Sequence, residues 1–209
     1  MNENTKDILK IDQTQASILR LVLDDPDNKN ALSENMMIRL KKFLLKASSD
    51  DSVKVIIISA VGDVFCSGHN LKDITKARKN EDEGRAYFLD LFNLCSSLMQ
   101  MIVNCSEPVI AEINGIATAA GCQLVASCDL AIASDSSKFA TPGVNIGLFC
   151  STPMVALSRN VSKKDAMKML LTGDMIDAAE AKRISRINDH VPEENLYVEI
   201  VSLASQIST

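Results

Sequence analysis

The chain has 209 residues, of which 46% are hydrophobic and 23% charged, a composition typical of one compact globular domain. Its net charge of −5 and the lack of any basic run argue against a nucleic-acid or anionic-membrane surface. No stretch approaches the roughly 18 consecutive apolar residues needed to cross a bilayer, so we expect no membrane span.

The hydrophobic pattern predicts strands that alternate with helices over the first two thirds of the chain. Strands are predicted over 16–23, 53–60, 108–113, 129–133 and 138–140, and helices from about 33 to 50, over 85–104 and over 119–128. The β-branched run VKVIIISA is typical of a strand buried on both faces of a parallel sheet. The segment VGDVFCSGHNLKDI is predicted as a loop that opens a short helical turn. This order indicates an α/β fold with right-handed crossovers.

Helices dominate the last third. SKKDAMKMLLTG and DAAEAKRI precede a short strand near RINDHVP, and a last helix starts near Glu193. The final segment, VEIVSLASQIST, is amphipathic, so its apolar face must pack on this chain or on another subunit. We predict one domain over 1–209, with its core at 16–191 and the start of a C-terminal helical region at 192–209.

The cysteines and histidines predict no metal site. The chain has six cysteines and two histidines but no CxxC pair. Several cysteines lie in apolar stretches of small residues, so we expect buried free thiols in a reducing compartment. The N-terminal sequence MNENTKDILKIDQTQ carries acids and lacks the blocks typical of a secretory or transit signal.

Two segments point to a binding site for a carbonyl oxygen. In FCSGHN a loop reaches Gly68 and His69, and in GIATAAGCQ a second loop reaches Ala120 and Gly121 at a predicted helix N-terminus. N–H groups at a helix N-terminus lack intrahelical acceptors and lie at the positive end of the dipole. Two such groups converging on one oxygen would form an oxyanion hole. Tight packing of the helix on the sheet would explain the same small residues equally well.

Four ordered motifs resemble the crotonase (enoyl-CoA hydratase/isomerase) superfamily. They are FCSGHNLKDI, NGIATAAGCQLVASCDLAIASD, FATPGVNIGLFCSTP and LLTGDMIDAAEAKRISRINDHVP, and the match runs from about residue 16 to the end. The resemblance implies the ClpP-like crotonase fold, a spiral of ββα units with C-terminal helices that are shortened in this chain. It also implies an acyl-CoA ligand, a role in fatty acid metabolism, no separate cofactor, and a homotrimer or hexamer.

The resemblance assigns residue roles by position. The oxyanion-hole donors would be the backbone N–H groups of His69 and Ala120. Substrate contacts would come from Asn30, Ala31, Cys66, Ser67, Gly68, Leu71, Lys72 and Gly121. A mitochondrial location is implied although no transit peptide is visible, and a cytoplasmic location is the alternative.

The chain departs from the family at both catalytic positions. Family hydratases carry one glutamate after the GGGC turn and another after the proline of PE-x-x-x-G, where this chain has Gln123 and Gly143. Neither side chain exchanges a proton near neutral pH, and losing an acid or base typically costs about 10²–10⁴ in rate. We therefore expect an enzyme with weak or no hydratase activity.

Several alternatives stay open for the chemistry. The His69 imidazole could face substrate, or it could be a surface or gate histidine without a catalytic role. Cys122 and Cys150 could be nucleophiles, but no base partner is evident, and inert core thiols are the simpler interpretation. An oxyanion hole alone could stabilise the enolate left by decarboxylation, although no arginine that would steer a carboxylate is evident. The last alternative is a non-catalytic acyl-CoA-binding or regulatory protein.

Overall fold

The protein is described here from a computed structural model that covers residues 7–209. Its strands are β1 (Leu9–Gln15), β2 (Ile18–Leu23), β3 (Val55–Ala60), β4 (Val64–Cys66), β5 (Val109–Ile113), β6 (Ile116–Thr118), β7 (Leu130–Ser134), β8 (Lys138–Ala140), β9 (Ile176–Asp177) and β10 (Asp189–Val191). Its α-helices are α1 (Glu34–Ala47), α2 (Leu71–Ala77), α3 (Arg85–Val103), α4 (Ala120–Ser127), α5 (Ser151–Asn160), α6 (Lys163–Thr172), α7 (Ala178–Arg183) and α8 (Glu193–Ile207).

The strands form two sheets. The larger has the order β1-β2-β3-β5-β7-β10, and the smaller has the order β4-β6-β8-β9. In the larger sheet only the β1–β2 pair is antiparallel, and the other neighbours are parallel. The consecutive strands β3–β4, β5–β6 and β7–β8 each pass from the larger sheet to the smaller, and each pair is followed by helix. This is the predicted spiral of ββα units.

The main core lies between the larger sheet and the helices α1, α3 and α4. Helix α1 begins after Ser33, whose hydroxyl accepts a hydrogen bond from the N–H of Met36 at 3.2 Å. Its apolar residues recur at helical spacing, and Met37, Leu40 and Leu44 are fully buried. The helix packs on strands whose β-branched side chains are buried on both faces, so the α/β prediction is confirmed.

Helix α8 covers the opposite face of the larger sheet. Its buried residues Leu196, Ile200 and Ala204 form a second cluster with sheet residues that include Ile57 and Ile110. The amphipathic C-terminal segment therefore packs on its own chain. Val198 lies on the outer face of this helix and is exposed.

The structure adds four strands that the sequence interpretation missed. Strands β4 and β6 have three residues each and β9 has two, which is too short for an alternating pattern to show. Strand β1 forms a hairpin with β2 and lies N-terminal to the first strand that the sequence predicts, at 16–23. The segment predicted as a loop over 61–74 contains β4, whereas the helical turn predicted at its end is confirmed as the first turn of α2.

Within residues 7–209, one helix is long and apolar enough to cross a membrane by length and composition. It is α3, and core helices of globular proteins meet the same criterion. One face of α3, with Leu91, Leu98 and Ile102, is buried against the main core. That face gives the helix a packing role that needs no membrane.

Candidate active site

Three segments that are distant in sequence meet at the site. The N–H of Leu32 donates to the carbonyl of Gly68 at 2.8 Å, and the N–H of Ser67 donates to the carbonyl of Lys29 at 3.2 Å. The hydroxyl of Thr118 donates to the carbonyl of Ser67 at 3.1 Å. The loop after β4 is thus held between the segment before α1 and the segment before α4.

Two glycines allow the loop after β4 to approach the N-terminus of α4 closely. At Gly68, where φ is +92°, a Cβ atom would lie 3.1 Å from the backbone nitrogen of Ala120. At Gly121 a Cβ atom would lie only 2.2 Å from the carbonyl oxygen of Cys66. The end of β4 therefore packs directly on the first turn of α4. Packing alone requires Gly121, while the loop at Gly68 brings His69 beside the helix N-terminus.

The backbone places two N–H groups at this contact. Ala119 has φ of 50° and ψ of −119°, and its own N–H donates to the carbonyl of Ala140 at 3.0 Å. Helix α4 begins at Ala120, so the N–H of that residue has no intrahelical acceptor. Among the hydrogen bonds formed by residues 7–209, none uses the N–H of His69 or of Ala120 as donor. Both groups are therefore left without an acceptor within this part of the chain.

The His69 side chain lies inside the site. Its Nδ1 is 3.4 Å from the carbonyl oxygen of Leu32, and its ring meets Phe92 edge-on with centroids 5.7 Å apart. Burial lowers the pKa of this imidazole, which favours its neutral form. The Nε2 atom is buried and has no partner among residues 7–209. His69 is therefore not a surface histidine that faces solvent.

Gln123 and Gly143 occupy very different surroundings. Gln123 is only 7% exposed, and its Oε1 has no hydrogen-bond partner in the described part of the chain. It lines a cavity of about 600 Å³ between α3, α4 and α5. At Gly143 a Cβ atom would lie 2.7 Å from the Leu148 carbonyl oxygen and 2.8 Å from Cys150 Sγ. A side chain at 143 would therefore require the segment 148–150 to move.

The proposed ligand contacts divide into buried and accessible residues. The Asn30 side-chain amide is engaged in structural hydrogen bonds. It accepts one from the N–H of Asp25 and donates to the carbonyls of Val61 and Val64. Ala31 and Cys66 are also buried. Leu71 and Lys72 are exposed at the start of α2, and Ser67 is partly buried. Only these last three offer accessible side chains to a ligand.

The cysteines have the properties of inert thiols. Four of the six are buried and none is paired. Cys122 Sγ donates to the carbonyls of Ala117 and Ala140, at 3.1 and 3.2 Å. Burial raises the pKa of Cys66 to about 12 and also raises the pKa of Cys150. These contacts support the interpretation as core thiols and identify no activating base.

Arg186 is a neighbour of the site that the sequence interpretation missed. It lies between α7 and β10 and is only 4% exposed. Its Nη2 donates to the carbonyl of Cys122 at 2.6 Å, and its guanidinium lies 5.6 Å from the centroid of the Phe139 ring. No sequence signal marks it, because an arginine just after a helix is more often solvated.

Comparisons with known proteins agree with this architecture. The chain is 50% identical over 199 residues to mitochondrial enoyl-CoA hydratase domain-containing protein 3 of Xenopus laevis, and 51% identical over 195 residues to that of Mus musculus. These matches cover 95% and 93% of this chain, but only 66% and 63% of the relatives. The chain thus spans just under two thirds of their length.

Solved structures show the same similarity. The crystal structure of human enoyl-CoA hydratase domain-containing protein 3 superposes with a TM-score of 0.89 at 48% identity, covering 96% of this chain and 77% of that one. An enoyl-CoA hydratase of Mycobacterium smegmatis superposes with a TM-score of 0.91 at 42% identity, covering 97% and 77%. The profile of the enoyl-CoA hydratase/isomerase family matches residues 13–209. The chain belongs to the enoyl-CoA hydratase/isomerase family.

Proposed function

We propose that this protein binds acyl-CoA thioesters, with the thioester oxygen accepting hydrogen bonds from the backbone N–H groups of His69 and Ala120. The observation that carries the proposal is the close approach of Gly68 to the N-terminus of α4, with both N–H groups unused. Donors fixed by packing need no reorganisation when an oxygen gains negative charge. The family's relatives named as enoyl-CoA hydratases support a thioester as the ligand.

The acyl group would occupy the cavity beside Gln123. Met99 and Val103 of α3 and Val155 of α5 provide apolar walls, and a volume of about 600 Å³ accommodates a small-molecule ligand. The Gln123 amide could hydrogen-bond a carbonyl or hold a water molecule there. No cofactor other than the coenzyme A of the ligand enters this proposal.

The same site supports slow hydration at most. A glutamine replaces one family glutamate, and the other position is closed to any side chain by Leu148 and Cys150. Without a carboxylate, a bound water has no group at these positions that could take its proton. This favours the alternative function, a non-catalytic acyl-CoA-binding or regulatory protein. Chemistry through the neutral His69 imidazole is the remaining route to an active enzyme.

The resemblance also supports a cellular setting and an assembly. Relatives about 50% identical are named as mitochondrial, so we propose a mitochondrial role in fatty acid metabolism. A homotrimer or hexamer remains our proposal for the quaternary structure, because family resemblance is its only support.

Ala120→Pro tests the hole most directly. Ala120 is the first residue of α4, where proline deletes one N–H group without interrupting the helix. Ala119 lies outside the extended region that a residue before proline adopts, so the fold of this variant has to be verified. We expect binding of crotonyl-CoA, measured by calorimetry, to weaken about 5-fold, as expected for the loss of one neutral hydrogen bond of roughly 1 kcal/mol. Hydration of crotonyl-CoA, followed by absorbance, should be close to background already in the wild type.

Lys163→Pro is the control, because it places the same residue at the first position of α6, where the native side chain is exposed. It should leave binding unchanged. Circular dichroism establishes that both variants fold. A folded Ala120→Pro variant with wild-type affinity would contradict the proposed site, and rapid hydration by the wild type would contradict the pseudoenzyme alternative.

A further inference from the structure

The core of this protein holds a positive charge without a carboxylate partner. Arg186 is 4% exposed, and its Nε and Nη1 atoms are buried without an acceptor among residues 7–209. None of the ion pairs in that part of the chain includes Arg186. A guanidinium does not lose its proton in a protein. Its contacts are one carbonyl and one aromatic ring, and both are uncharged.

This charge lies against the two elements that hold the candidate hole. The carbonyl that Arg186 contacts belongs to Cys122, two residues after Ala120 in the first turn of α4. The ring that it faces belongs to Phe139, and the next residue on β8, Ala140, accepts the hydrogen bond of the Ala119 N–H. One turn of helix rises about 5.4 Å. The guanidinium is therefore near the hole. Arg186 also lines a cavity of about 410 Å³, to which the charged residues Asp129 and Lys182 contribute.

A charge in this position distinguishes between neutral and anionic ligands. At a given distance, Coulomb interactions are stronger in a protein interior than in water, because the effective dielectric constant is lower. A buried cation without a counterion is unfavourable, and negative charge arriving nearby offsets part of that cost. The carbonyl of a resting thioester carries little charge, whereas an enolate carries a full one. The N-terminal end of the α4 dipole acts in the same direction.

We propose that Arg186 is a positioning residue that tunes the hole toward anionic, enolate-type forms of a thioester. It acts through α4 and β8 and does not touch the ligand. The proposal rests on the proposed function, since it requires a thioester at the hole. It gives a reason for burying a charge beside the helix.

The test uses acetoacetyl-CoA, whose C2 proton is acidic. Ionisation releases that proton to solvent and leaves the electron pair delocalised over the two carbonyl oxygens, which produces an enolate that absorbs in the near ultraviolet. A pH titration of the complex followed by absorbance gives the pKa of the bound ligand. We expect Arg186→Leu to raise that pKa by about one unit, which is a tenfold weaker preference for the enolate. Its affinity for butyryl-CoA, which stays neutral, should change less than about twofold.

Two further variants separate charge from packing. Arg186→Lys retains the positive charge and should keep the bound ligand's pKa near the wild-type value. Arg183→Leu removes an exposed arginine of α7 that pairs with Glu180, and solvent should screen its loss. Arg186→Met is the replacement for Arg186→Leu if thermal unfolding shows that the leucine variant does not fold.

Each outcome decides the proposal. A raised ligand pKa in Arg186→Leu, absent in Arg186→Lys and Arg183→Leu, supports it. An unchanged ligand pKa, or equal weakening of acetoacetyl-CoA and butyryl-CoA, overturns it while the proposed function stands. Failure of the wild type to bind either thioester would remove the proposed function itself, and this inference with it.

Discussion

Two arginines of this protein, one half-buried and one buried, have opposite surroundings. Arg20 of β2 lies on the α8 side of the larger sheet, where its guanidinium forms two hydrogen bonds, at 2.8 and 2.7 Å, with the carboxylate of Glu112 on β5. It also reaches Asp12 and lies 5.2 Å from the centroid of the Tyr197 ring. Arg186, beside the candidate site, has one carbonyl and no carboxylate.

The difference shows that an arginine in the interior can either stabilise the fold through an ion pair or create a positive potential at a site. A bidentate arginine–carboxylate pair is a strong and directional contact, and it connects β2 and β5 across the intervening strand. Such a pair neutralises its own field. An unpaired buried guanidinium lowers the stability of the protein, but its positive potential is not neutralised and acts on neighbouring groups. Unpaired polar groups also occur at His69 and Gln123, so several of these unsatisfied groups lie around the same site.

Breaking the paired arginine should have the largest effect on stability. Arg20→Met leaves Glu112, whose side chain is only 9% exposed, without its partner. We expect the free energy of unfolding to fall by about 3 kcal/mol, because removing one member of a buried pair leaves an uncompensated charge. Urea denaturation measures the loss.

Arg39→Met is the control for that change. Arg39 pairs with exposed Asp7, so the variant should lose less than about 1 kcal/mol. Equal losses in the Arg20 and Arg39 variants would show that the buried pair contributes no more than a surface pair.

Removing the unpaired arginine should have a smaller effect of opposite sign. Arg186→Leu replaces a buried charge with an apolar side chain, which can stabilise a protein by about 1–2 kcal/mol. The same urea experiment should therefore give a higher denaturation midpoint than in the wild type. A loss of several kcal/mol would instead mean that the bond to Cys122 and the Phe139 contact outweigh the cost of burying the charge.

The smallest predicted effect is the contribution of His69 to the pH dependence of stability. Burial lowers the pKa of His69 in the folded protein, so between the folded value and about 6.5 the unfolded chain binds more protons. The free energy of unfolding should therefore rise as pH increases toward 7, and His69→Gln should reduce that rise. Unfolding experiments between pH 5 and 7.5 on both proteins measure the slope. A slope that is unchanged in the variant would show that His69 titrates normally.

Much of the fold was predictable because its signals are local. The strands β2, β3, β5 and β7 are short, mainly apolar runs that are largely buried on both faces, and the pattern of such runs does not depend on their partners. Helix α1 carries its own cap and its own apolar stripe. The short strands β4 and β6 have no such signal, because they form only by pairing within the smaller sheet, β4 with β6 and β6 also with β8.

The candidate site was predictable as a set of motifs but not as an arrangement. The sequence by itself determined that Gly68 and Gly121 lie in two separate motifs of small residues. It also determined that Gln123 and Gly143 stand where the family has glutamates. Only the tertiary structure decided that the Asn30 amide is fully engaged, that position 143 has no room for a side chain, and that Arg186 is buried without a counterion. The reason is physical: residue type and spacing set local conformation, whereas free volume, hydrogen-bond supply and the surroundings of a charge depend on contacts between distant segments.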